Sequence, residues 1–284
     1  MIKKRLSILK KNLEKFGIDG YIIPKNDEFF SEYSKKDRLK IISNFSGSAG
    51  YAIILKNKNY LFVDGRYTVQ AQLESGNNFK IIDYKKILNC DIFKNLLLGF
   101  DPKLFTSSQI KKFFLKHNKV KKIELNLIDD IYKDNSKSIK PFYSLSKNIT
   151  GEDYQKKINK LIKYLKKNKL TYIFISAPEN VAWLLNIRGF DNPNSPIPNC
   201  HLLLDYKKNI FIITEKIKTL KLIKEKKIRN NQVVEPKKFK EFLNNLKFGK
   251  ISIDEKSCSL FYENVLKNKL RLIKKEDPIY FLKS

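Results

Sequence analysis

Asp64 and Arg66, two residues apart in the run Val63-Asp64-Gly65-Arg66-Tyr67, are well placed for chemistry. The run follows an apolar stretch that reads as a strand. An aspartate there can cap the next helix, because its carboxylate accepts the free amide hydrogens of a helix start. Arg66 falls where a strand feeds a helix, the edge at which α/β proteins commonly meet ligands. A guanidinium fork could hold a carboxylate or a peptide carbonyl. A structural ion pair with Asp64 explains the same two residues equally well.

Two further segments invite a chemical reading. Phe45-Ser46-Gly47-Ser48-Ala49-Gly50 precedes a strand. Its small residues permit a tight turn and a close approach of backbone to another group. Gly47 and Gly50 are too few and wrongly spaced for a dinucleotide loop, and no Walker lysine follows. The run Ala177 to Gly189 holds the single tryptophan, Trp183, in a helical pattern with Val181, Leu184 and Ile187. Trp183 is expected in the core. The Asn- and Pro-rich stretch Asp191–Pro198 must then be an irregular loop.

Metal and nucleophile chemistry finds no support. The chain has two histidines, His117 and His201, with no HExxH, no paired spacing and no neighbouring carboxylate cluster. There is no GxSxG elbow for a serine nucleophile. Cys90, Cys200 and Cys258 are odd in number, far apart and form no CxxC. On residue chemistry alone the chain carries no recognisable active site.

Positioning these groups takes an alternation of helices and strands. Ile2, Leu6, Leu9, Leu13 and Phe16 recur at three- and four-residue steps, one face of an opening helix closed by Gly17. Ile158, Leu161, Ile162 and Leu165 repeat that spacing in a second helix stopped at Asn168. Each helix leads into a buried strand, Tyr21–Pro24 and Leu170–Ser176. A short helical stretch follows each strand, over Asp27–Tyr33 and Glu179–Ile187. Each half next offers a hairpin: Tyr51–Leu55 with Tyr60–Val63, and His201–Leu204 with Ile210–Thr214. Helix–strand alternation closes both halves. Ser108–His117 and Val120–Leu125 end the first; Lys238–Leu246, Ile251–Ile253, the helix around Leu260–Leu266 and Leu270–Ile273 end the second. A repeat of roughly 150 residues is domain-sized rather than solenoid-sized. The fold class is therefore α/β, with two similar domains over 1–140 and 150–284, each a mixed β-sheet flanked by helices. The linker is expected at about 135–153, a polar stretch with Pro141 and Gly151.

The bulk numbers bound the remaining classes. In 284 residues, a hydrophobic fraction of 42% excludes a disordered chain despite 31% charge. The net charge of +29 invites a nucleic-acid or membrane reading. The lysines, however, are spread over nearly every helix and turn rather than along one stripe, so a solvated basic surface is favoured. The basic start is followed by no apolar signal-peptide core, and the apolar runs are strand-length. Scattered cysteines fit a reducing compartment. No membrane partner and no specific nucleic acid are expected, and the location is read as cytoplasmic.

In combination, the motifs resemble a known family. Gly17-Ile18-Asp19-Gly20-Tyr21-Ile22-Ile23-Pro24, Asn26 to Tyr33, Asn44 to Gly50 and Val63 to Tyr67 occur in that order. They resemble the first creatinase/prolidase-type N-terminal domain of Xaa-Pro aminopeptidases (aminopeptidase P). Glu179 to Gly189 resembles the matching segment of the second domain. Ile251 to Asp254 and Asp277 to Lys283 look like the run into the catalytic domain. The resemblance implies the two non-catalytic front domains of the three-domain form, with the chain stopping before the pita-bread catalytic domain.

It further implies release of an N-terminal residue that precedes proline, by two manganese ions held on two Asp, one His and two Glu. None of those ligands can be placed here, so no cofactor and no catalytic residue is expected in this chain, which should be inactive alone. The carry-over is Arg66, the substrate-contacting arginine of the DGRY run. Implied partners are short peptides with proline second, and either a second copy or a separate catalytic domain. The implied role is to shape substrate access and oligomer contacts. A stand-alone binding or scaffold protein, or a basic nucleic-acid binder, are the competing readings.

Overall fold

The computed structural model describes residues 2–31, 33–34, 36–89, 93–132 and 139–283. The chain divides into two compact units, residues 1–137 and 138–284.

The first unit opens with helix α1 (Ile2–Phe16), which buries Ile2, Leu6, Leu9 and Leu13 along one face. Gly17 ends it at φ +58°, a left-handed conformation natural to glycine, and the Ile18 amide bonds back to the Leu13 carbonyl at 3.0 Å. Strand β1 (Gly20–Pro24) follows, buried along its whole length. Next come α2 (Arg38–Ser43), β2 (Gly50–Leu55), β3 (Asn59–Val63), α3 (Thr68–Ser75), β4 (Lys80–Asp83), β5 (Leu97–Phe100), α4 (Ser107–Phe113) and β6 (Lys119–Lys122). The sheet order is β4-β3-β2-β1-β5-β6. β1 pairs antiparallel with β2 and parallel with β5. α1, α2 and Ala71 of α3 pack on one face. An aromatic cluster including Tyr51, Phe105 and Phe113 occupies the other.

The second unit repeats this plan. Its elements are β7 (Tyr143–Ser144), α5 (Lys147–Thr150), α6 (Tyr154–Lys167), β8 (Tyr172–Ile175), α7 (Pro178–Leu185), β9 (Ile187–Arg188), β10 (His201–Asp205), β11 (Ile210–Ile213), α8 (Lys216–Lys224), β12 (Val233–Val234), α9 (Phe239–Asn244), β13 (Lys250–Ile253), α10 (Leu260–Lys267), β14 (Arg271–Lys274) and α11 (Ile279–Leu282). The sheet order, β12-β11-β10-β8-β13-β14, matches the first sheet strand for strand. Alternation along β8 sends Ile173 and Ile175 to the α6–α7 side, and Tyr172 and Phe174 to the α9–α10 side. The expected duplication into two mixed α/β sheets flanked by helices is therefore present.

Several elements depart from the sequence expectations. Asp27–Tyr33 forms no helix among the described residues. The Asp27 carboxylate accepts the amides of Phe29 and Ser31, each at 2.9 Å, and closes a turn that competes with helix formation. The helix expected over Ser108–His117 ends at Phe113, and His117 lies beyond it. The helix of Glu179–Ile187 stops at Leu185, because Asn186 takes a left-handed conformation at φ 51°. In the stretch expected as a linker, residues 135–138 and also Cys90 lie outside the described residues, while Tyr143–Thr150 contributes β7 and α5 of the second unit.

The second unit is closed by a small polar clasp. Asp277, 4% exposed, accepts Asn180 Nδ2 at 2.7 Å and the Ile279 amide at 2.9 Å. Burial pushes its carboxyl up to about 6. The folded state therefore binds this proton more tightly than the unfolded chain, and the contribution is fully present below about pH 3.8. It is lost as pH rises through 6. Asp277→Asn is expected to abolish a stability gain of up to about 2 kcal/mol between pH 7 and 4.5. Urea unfolding at the two pH values checks this; an unchanged difference between wild type and variant would refute it.

Candidate functional site

The carboxyl end of the first sheet gathers the motifs that the sequence singled out. β1, β3, β4 and β5 all finish at this edge, and β2 begins there. Pro24 ends β1, the Phe45–Gly50 turn enters β2, and Asp64–Tyr67 leaves β3. Tandem βα junctions at one sheet edge are the usual place for a ligand contact in this architecture.

Asp64 caps a 3-10 turn, Gly65–Tyr67, that leads into α3. Its Oδ1 accepts both the Arg66 amide at 3.1 Å and Arg66 Nε at 2.9 Å. Those bonds hold the Asp64 carboxyl below the usual carboxylate range and the Arg66 guanidinium above its own. Arg66 is 74% exposed, so this pair orients the side chain rather than stabilising the fold. The guanidinium carbon stands 5.4 Å from the Tyr67 ring centroid. Among the described residues neither Nη group donates to a protein acceptor, and the outer edge of the fork faces solvent.

The turn before β2 braces this arrangement. Ser48 Oγ and Tyr67 Oη share a hydrogen bond of 3.1 Å, and the Phe45 ring meets Tyr67 edge-on at 5.9 Å. Ser46 donates from its amide at 2.7 Å and its hydroxyl at 2.6 Å to Glu74 of α3, and Gln70 bridges the two. Two motifs read separately in the sequence are thus one unit: the serine turn holds Tyr67, and Tyr67 underlies Arg66. A side chain at Gly47 would collide with the Phe45 ring, and one at Gly50 would lie 2.7 Å from the Phe62 carbonyl oxygen. Close approach, not nucleotide binding, explains both glycines.

Sequence reasoning missed Arg38 at the same edge. It is 3% exposed and bonds Glu28 at 2.5 Å and Asp129 at 2.8 Å. Burial works against its charge, but the two carboxylates outweigh it and hold the guanidinium above its ordinary range. An arginine so enclosed is structural. Its only sequence signal was a place just after Asp37, the cap of α2.

The remaining candidates are packing residues. His201 is 3% exposed, and its Nδ1 donates to the Ser176 carbonyl at 2.8 Å. Burial pushes the imidazole down to about 4, partly opposed by that bond, so it is neutral at physiological pH. His117 lies in the turn beside Asn118 at the opposite end of the first sheet. Cys200 and Cys258 are fully buried, and burial pushes both thiols up, which disfavours a reactive thiolate. Trp183 is only partly buried and carries Lys157 over its ring at 4.2 Å. The described residues include no group of three or more His, Cys, Asp or Glu able to hold a metal ion, and no helix long and apolar enough to cross a membrane.

The structure is a duplicated mixed-sheet α/β unit with a solvent-facing Asp-Gly-Arg-Tyr turn on its first copy. The chain belongs to the creatinase/prolidase N-terminal domain family: two models of that description match, over residues 5–124 and 133–284. Xaa-Pro aminopeptidase 2 of Rattus norvegicus is 30% identical over 218 residues, covering 70% of this chain and 32% of the relative. A probable Xaa-Pro aminopeptidase P of Coprinopsis cinerea is 26% identical over 229 residues, covering 75% and 37%. The chain thus spans about a third of the length of these curated relatives and is similar to their N-terminal part. Among solved structures, an X-prolyl aminopeptidase from Caenorhabditis elegans, described as a cytosolic enzyme with a di-nuclear active site, superposes with a TM-score of 0.83. It is 21% identical, over 97% of this chain and 50% of that one.

Gly50→Ala is expected to cost about 1–3 kcal/mol, because the backbone oxygen of Phe62 cannot move away from a new Cβ. Chemical denaturation measures it; a cost near zero would mean that β2 and β3 do not approach as closely as described.

Proposed function

We propose that this chain is the non-catalytic N-terminal part of an Xaa-Pro aminopeptidase, which shapes substrate access to a metal centre carried outside these residues. The observation that carries the reading is the exposed Arg66 fork, fixed by Asp64 and Tyr67 with its Nη edge open. That edge suits a bidentate bond to a peptide carboxylate or carbonyl. A cytoplasmic location, and a second copy or separate catalytic domain as partner, belong to the same proposal. In the intact enzyme two manganese ions would supply Lewis-acid activation of water. The residues described here contribute peptide binding and exclusion, not metal ligation.

Two measurements test this. The isolated chain, given manganese and an Xaa-Pro-Pro tripeptide, should release no N-terminal residue; turnover by pure chain would sink the proposal. In a protein joining this chain to its catalytic domain, Arg66→Ala should lower kcat/KM about 10–100-fold, the loss of a charge-assisted hydrogen bond to substrate. Unaltered kinetics would remove Arg66 from the site and leave the fold assignment standing.

A further inference from the structure

Leu73 of α3 is the most exposed large hydrophobic side chain among the described residues, at 80%, and Val69 follows closely at 73%. Ala71 and Ser75 bury the inner face of the helix. Residues four apart share a helix face, so Val69 and Leu73 stand together on the opposite one. Arg66 precedes Val69 by three residues through the 3-10 turn, a step that eclipses side chains. One guanidinium and two apolar side chains therefore form a single outward strip.

The strip differs from its surroundings in charge. Outward positions of α1 and α6 are filled by lysines such as Lys4, Lys11, Lys163 and Lys167. α3 carries no lysine or arginine; the exposed Thr68 and Gln72 flank the strip, and Glu74 is tied to Ser46 and Gln70. On α8, the matching helix of the second unit, the exposed Ile217 and Leu220 lie among Lys216 and Lys221 instead. A stable subunit interface takes about 20–30 residues a side, so three side chains suit a small ligand rather than a second copy. The absence of lysine beside Arg66 suits one negative charge rather than a polyanion. An apolar group must accompany that charge to cover Val69 and Leu73.

We propose that Arg66, Val69 and Leu73 form a recognition strip for the C-terminal residue of a short peptide. The Arg66 fork takes the α-carboxylate, and Val69 and Leu73 take an apolar side chain. The proposal rests on the reading of Arg66 as a peptide contact and adds a preference for a hydrophobic C-terminal residue.

The test titrates the isotope-labelled full chain at pH 7 with Ala-Pro-Leu, its C-terminal amide and Ala-Pro-Gly, following the NMR amide signals of residues 66–73. Ala-Pro-Leu should bind with a Kd in the millimolar range, where one charged fork and one apolar contact belong. Amidation should weaken binding about tenfold, and glycine in place of leucine about fivefold. Arg66→Ala should erase the difference between acid and amide. The double variant Val69→Gln, Leu73→Gln should erase the difference between leucine and glycine, and Ile217→Gln on α8 should change neither. Both α3 side chains are exposed, so the fold tolerates their replacement. Binding of the acid that is indifferent to Arg66→Ala would remove the peptide contact itself. Loss of binding in Arg66→Ala, with the leucine preference intact in the double variant, would overturn only the strip. Absence of binding, or self-association that the double variant abolishes, would overturn it as well.

Discussion

Each unit depends on a central strand that is buried on both faces and paired differently on its two edges. β1 runs antiparallel to β2 and parallel to β5; β8 does the same with β10 and β13. Burial on both faces calls for a continuous apolar run, supplied by Tyr21-Ile22-Ile23 and Tyr172-Ile173-Phe174-Ile175. The antiparallel neighbour then needs only a hairpin to add the next strand. The parallel neighbour needs a crossover that carries helices to the sheet faces. Chain direction follows: β1, β3, β4 and β5 deliver their carboxyl ends to one edge. Arg66 is at that edge because β3 ends there.

The duplication reaches individual side chains. Asp101 follows the last residue of β5, and Asp254 follows the last residue of β13. Both are buried, and both accept the amide two residues on, from Lys103 and Lys256, each at 2.9 Å. The second oxygen accepts Asn126 Nδ2 in one copy and the Asp277 amide in the other. A hydroxyl cap five residues later, Thr106 or Ser259, starts the next helix in each. Such an aspartate fastens the fifth strand to the turn that follows. It marks the shared frame, not the chemistry.

Much of that frame was legible in the sequence. α1, α6, both hairpins and β13 announce themselves by strong three-to-four or continuous apolar spacing. Weak patterns leave other elements unread: α2 is short, β4 exposes Lys80 and β12 has two residues, while α3 is anticipated only as the helix that follows Asp64. At the other edge, β6 reads Lys-Val-Lys-Lys and is mostly exposed. Lysines there discourage pairing with another chain, so its sequence looks unlike a buried strand. The false helix at Asp27 arose because a side-chain bond closes a turn without leaving a periodic trace. Arg66 was found by its motif. The bracing of Tyr67 by Ser48 and Phe45 was not, since it joins residues about twenty positions apart.

The two copies differ where chemistry would matter. Three residues beyond β3 stands Arg66, in a 3-10 turn that delays the start of α3. Three residues beyond β11 stands Lys216, already the first residue of α8, preceded by Glu215 whose side chain makes no cap bond. The Asp-Gly pair that lets Arg66 fold back on Asp64 is absent from the second copy, where Thr214 and Glu215 take its place. Instead the second copy's βα edge is used internally: Asn180, Asp254, Asp277 and Lys283 satisfy one another, and Tyr280 donates to Glu179. Polar groups paired in this way are unavailable to a ligand. One frame, used twice, thus leaves an open arginine on the first copy and a closed clasp on the second.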